Sequence, residues 1–127
     1  MEQSKKVFTM NLNQPYSDRV HIRVDDALKT IPKTALARSE VMYEHGTLLV
    51  KVYAPRGTDP QTTHSRDEMY VVIKGTGTFF NGGERTQFGP GDFLFAPAGS
   101  IHRFENFTED FLTWVMYFGP EDGEATN

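Results

Sequence analysis

His64, Glu68 and His102 offer two imidazoles and one carboxylate, donor types that together hold a first-row metal ion. Such a set is facial and leaves coordination positions open. An open position lets water or a substrate reach the ion directly. The spacing then constrains the backbone. Glu68 runs into Met69-Tyr-Val-Val-Ile73, a β-branched and aromatic strand composition. On one straight strand at ~3.3 Å per residue, His64 and Glu68 would stand about 13 Å apart. Metal–ligand bonds are only about 2.0–2.2 Å, so one ion could not bridge that gap. Ser65-Arg66-Asp67 must fold back, with His64 ending one strand and Glu68 opening the next. His102 follows the turn-forming Pro97-Ala-Gly-Ser100, so both turns should meet at one end of the fold.

The elements that must position these groups are short strands. Leu36 to Tyr43, Thr47 to Ala54, Glu68 to Lys74, Gly77 to Phe80 and Arg85 to Phe88 are candidates. Phe93 to Ala96, His102 to Asn106 and Phe111 to Phe118 follow. Asn81-Gly-Gly83 is a hairpin signal, because Asn and Gly accept positive φ. Val7 to Met10 and the alternating Val20 to Val24 are weaker strand candidates, and Asp25 to Ile31 predicts one or two helical turns with Asp25 as N-cap. Strands at this spacing predict an all-β sandwich or barrel. Alternation puts Tyr70 and Val72 on the face of Glu68, and Phe104 and Asn106 on that of His102. Trp114, Met116 and Phe118 share one face of the last strand, read as barrel core, with a pocket wall as the alternative. Arg66 and Arg103 are read as surface charges, and His21 and His45 lack ligand spacing.

Two motifs carry a resemblance. Residues 91–106 fit G-x5-P-x-G-x2-H-x3-N at every fixed position, from Gly91 through Pro97, Gly99 and His102 to Asn106. His64, Glu68 and Gly75 fit the second His, the Glu and the closing Gly of G-x5-H-x-H-x3-4-E-x6-G. Together they resemble the paired motifs of the cupin superfamily, in its small single-domain (monocupin) form. The resemblance implies a double-stranded β-helix, or jelly roll, with a metal inside the barrel. It implies His64, Glu68 and His102 as metal ligands, for one divalent ion among iron, manganese, nickel, zinc and copper. Thr62 stands where the family has its first His. A Thr hydroxyl is a poor ligand, so Thr62 is expected to hydrogen-bond a bound water or substrate. Tyr70 is the second candidate catalytic residue, as proton donor or substrate contact; a core aromatic is the plainer reading.

Length fits one domain over 1–127, with an N-terminal part to about residue 35, a barrel over 36–118 and a flexible tail over 119–127. There are no cysteines, which excludes disulfides, thiol catalysis and Cys-ligated zinc. Thirteen Lys and Arg against 17 Asp and Glu give a net charge of −4, which argues against a nucleic-acid surface. No apolar run approaches a membrane span of ~18 residues, and Met1 to Val7 lacks the core of a secretory signal, so the expected location is the cytoplasm. Apolar residues on both faces of several strands point to a homodimer. The expected function is a metal-dependent enzyme on a small molecule, of dioxygenase, isomerase or lyase type. The alternative is a non-catalytic binding or sensing module, possible without metal.

Overall fold

Strand β3 (Asp67–Lys74) shows why this chain closes on itself: Glu68, Tyr70 and Val72 on one face are each 2% exposed or less, and the other face is half-covered. The computed structural model describes residues 20–34 and 38–125. The strand candidate at Val7 to Met10, and the first two residues of that at Leu36, lie outside them.

The other strands are β1 (Ser39–His45), β2 (Leu48–Tyr53), β4 (Gly77–Asn81), β5 (Glu84–Phe88), β6 (Phe93–Ala96), β7 (His102–Glu105) and β8 (Leu112–Phe118). They form a five-stranded sheet, β1-β2-β8-β3-β6, facing a three-stranded one, β5-β4-β7. Every pairing is antiparallel. The β4–β5 hairpin turns at Gly82 and Gly83, both at positive φ, with Asn81 pairing Glu84 across it.

Between the sheets lies an aromatic core of Tyr53, Tyr70, Phe79, Phe88, Phe104 and Phe111, completed by Val72, Ala96 and Val115. A second cluster covers the outer face of the larger sheet. There Val52, Met42 and Leu112 pack under helix α1 (Val24–Thr30), which contributes the fully buried Ala27. Asp25 and Asp26 in its first turn and Lys29 in its last suit the helix dipole.

Three expectations change here. Val20 to Arg23 form no strand, and Val24 opens the helix; the apolar Ile22 and Val24 are covered by the outer cluster instead of by strand neighbours. Arg23, not Asp25, is the N-cap, and it makes no side-chain cap. On β8 the inward residues are Val115 and Tyr117, not Trp114, Met116 and Phe118. Trp114 packs in the outer cluster, and with Met116 it lines a groove outside the barrel. Both faces of β8 are apolar, so composition could not choose between them; the register Tyr70↔Val115 does.

Candidate metal centre

Three segments bring the ligand candidates to one end of the barrel. Glu68 is the second residue of β3 and points inward. His102 opens β7 directly after the Pro97–Ser100 turn, which closes with Ser100 N–H on the Pro97 carbonyl at 3.1 Å. His64 lies in the loop between β2 and β3, not at the end of a strand as its spacing predicted. The fold-back at Ser65 and Arg66 is present, and the two turns are joined: Gly99 N–H donates to the His64 carbonyl at 2.7 Å. Asp67 reinforces the junction by accepting from Ala98 N–H at 2.9 Å.

The side chains converge accordingly. His102 Nε2 is 2.9 Å and His64 Nε2 3.7 Å from Glu68 Oε1. All three candidate donor atoms lie within 4.8 Å of one another. Two bonds of ~2.1 Å meeting at tetrahedral or right angles separate donors by about 3.0–3.4 Å, so the cluster fits one ion. A second observation tests the fit. Glu68 Oε1 and His102 Nε2 are buried and make no hydrogen bond of proper geometry. His102 Nδ1 contacts the Ser100 carbonyl at 3.0 Å, which suits an Nδ1–H donor and leaves the Nε2 lone pair toward Glu68. Two acceptors 2.9 Å apart need a cation or a proton between them.

The surroundings hold this arrangement. Tyr70 O–H donates to Glu68 Oε2 at 2.7 Å, leaving Oε1 to face the imidazoles. Burial, then the Glu68 charge, hold the Tyr70 phenol well above its ordinary value, so it stays a donor. Burial pushes the His64 imidazole down, which favours its neutral, ligating form. Burial also acts to lower His102, but the adjoining Glu68 carboxylate outweighs it and the net shift is upward.

Asp59 organises the loop that carries His64. Its carboxylate accepts from Tyr53 O–H, from Gln61 Nε2 at 2.5 Å and, across the barrel, from Phe104 N–H at 2.8 Å. With its amide nitrogen so held, Gln61 turns Oε1 inward, 3.4 Å from His64 Nε2 and 3.2 Å from Tyr70 O–H. Thr62, the residue expected there, is exposed. Gln61 and His64 wall a cavity of about 270 Å³ that reaches Glu68, with Tyr53, Val115 and Tyr117 as its apolar side and Lys51 along β2. Tyr70 sits behind Glu68, off the cavity wall.

Residues 49–118 match the Cupin domain family. This chain is a cupin. A similar protein is an uncharacterized one from Streptomyces coelicolor, 38% identical over 64 residues, which are 50% of this chain and 61% of that protein. A queuine tRNA-ribosyltransferase of Streptococcus pyogenes is 30% identical over 87 residues, 68% of this cupin but 22% of the transferase. The chain thus spans about three fifths and about one fifth of the lengths of these two relatives. Among solved structures, a Klebsiella pneumoniae protein with a double-stranded β-helix domain superposes with a TM-score of 0.63 at 21% identity, over 77% of this cupin and 90% of that chain. The fold is that double-stranded β-helix.

The remaining sequence candidates lie apart from the centre. Arg66 donates to the Thr47 carbonyl, and Arg103 pairs with Glu105 over the Phe80 ring. His21 and His45 are exposed, and Asn106, at φ 51, is an exposed residue closing β7. Among the described residues no helix is long and apolar enough to cross a membrane. Sequence reasoning missed Lys51, Asp59, Gln61 and Tyr117. Alternation with Tyr53 gave a signal for Lys51; no signal marked Asp59.

Proposed function

We propose that this cupin is a metal-dependent enzyme acting on a small molecule, with one divalent transition metal held by His64, Glu68 and His102. The observation that supports it is the convergence of two imidazoles and a buried carboxylate oxygen on one point at the wall of a cavity of about 270 Å³. Such an ion, when bound, polarises a substrate oxygen or lowers the pKa of a bound water. The chain's own groups do the rest. Tyr70 keeps Glu68 Oε1 aimed at the imidazoles. Gln61, fixed by Asp59, presents a carbonyl oxygen beside His64, and Tyr117 places its hydroxyl 3.4 Å from His64 Nε2. Tyr53, Val115 and Tyr117 give the cavity an apolar side for the body of a substrate. A dioxygenase, isomerase or lyase reaction suits such a site.

Oxygen uptake and product formation by iron- and manganese-loaded protein, across a panel of small carbonyl and phenolic compounds, test the reading. Turnover is expected with at least one compound. Ligand-induced stabilisation without any turnover would replace it by a non-catalytic binding module. We further propose a homodimer, for which the exposed Phe93, Phe95 and Ile101 offer apolar surface; light scattering that gives a monomer would contradict it.

A further inference from the structure

We propose that the cavity beside the metal centre takes a compact carboxylate-bearing molecule, with Lys51 as its charge partner. This rests on the metal-dependent reading above and names its substrate class.

Lys51 is on the inward face of β2. It alternates with Tyr53 and stands opposite Val115 of β8, and both of those belong to the inner core. The side chain is half-buried and lines the cavity that reaches His64 and Glu68. Its ammonium lies 5.9 Å from the centroid of the Tyr117 ring, a cation–π distance that keeps the stem along the wall. Among the described residues no carboxylate pairs with it. Glu68 faces the two imidazoles, and Glu105 serves Arg85 and Arg103. Asp59 is taken by Tyr53, Gln61 and the Phe104 N–H.

A charge drawn toward a barrel interior loses hydration, and that loss is offset only by a partner. Among the described residues no carboxylate supplies that partner, and an acidic ligand in the cavity would. Charge balance agrees. A divalent ion with two neutral imidazoles and one carboxylate keeps a positive charge, and Lys51 adds another. The cavity, about 270 Å³, falls below the ~300–1,000 Å³ of drug-sized ligand sites. The occupant is therefore a short organic acid: one oxygen toward the metal end, the body against Val115 and Tyr53, the carboxylate at Lys51.

Calorimetric titration of metal-loaded protein with short-chain oxo- and hydroxycarboxylates, each beside its primary amide, tests the assignment. At least one acid should bind about tenfold or more tighter than its amide. Lys51→Met should erase that preference and Lys51→Arg should keep it, with metal content unchanged in both. An acid preference that survives Lys51→Met, or no preference for any acid in the unaltered protein, would overturn the proposal. Full metal content without acid preference removes the anion site and leaves the metal reading standing. Lys51-dependent acid binding by protein that holds no metal does the reverse.

Discussion

At one end of the barrel Phe88, Phe104, Phe107 and Phe111 meet ring against ring, with centroids 4.7 to 5.4 Å apart. Two glycines complete that closure. A Cβ on Gly77 would stand 2.8 Å from Phe88 Cζ, and one on Gly75 would stand 2.5 Å from Phe111 Cα. At the other end the same two sheets part around His64, Glu68 and His102, where buried acceptors face each other without a hydrogen bond. The closed end is filled by ring contacts and by glycines with no room for a side chain. The open end accepts an electrostatic cost that only a cation or a proton relieves. Tyr70 joins the two: its ring packs on Phe104 at 4.9 Å, and its hydroxyl holds Glu68. Rigid packing at one end thus sets the aim of a ligand at the other.

The largest effect should come from breaking the closed end. Phe111 is 1% exposed, and Phe111→Ala should cost about 3–5 kcal/mol in urea unfolding. The fraction that still folds should keep its metal, because the ring lies away from the donors. A smaller effect should come from the support of the open end. Asp59→Asn weakens the hold on Gln61 and on the Phe104 N–H, and should lower metal affinity about 10–100-fold in a chelator competition at a cost of about 1–3 kcal/mol in urea unfolding.

Acidity separates the ends as well. His102 is raised above its ordinary value in the metal-free chain, so a proton competes for Nε2 at and above pH ~6.5. Metal affinity should rise with pH, by up to about tenfold per unit below that raised value, and level off above it. In the metal-free chain the sign is opposite for this group. Its stabilising contribution is present below ~6.5 and fades as pH rises through the raised value. His64, pushed down by burial, disfavours the fold as pH falls below ~6.5, so the two partly cancel. A Phe111→Ala chain should keep the same pH dependence of metal binding. The smallest effect is expected from Thr62→Val: the side chain is exposed, and metal affinity should stay within about twofold.

The strands were legible because their apolar residues, turns and glycines act locally. Each from β2 to β8 lies within two residues of the expected bounds at either end. The second motif was legible for the same reason, since one tight turn delivers His102 to its place. The Pro60 to His64 loop was not. Its conformation is set by Asp59 reaching 45 positions along the chain to Phe104 N–H, and that contact selects Gln61 over Thr62 for the site. Lys51 escaped notice because a lysine in a strand is ordinarily read as outward. Trp114 was placed inside because its outer cover, the cluster under α1, comes from a part of the chain distant in sequence.

Metal analysis of the protein and of its His102→Ala variant, both purified without added metal and then reconstituted, decides whether the three side chains hold an ion. About one transition-metal ion per chain is expected in the unaltered protein. Next to none is expected in the variant, with the barrel still folded by circular dichroism. Next to no metal in the unaltered protein after reconstitution would contradict the metal centre, and would leave Glu68 and His102 as a buried pair sharing a proton.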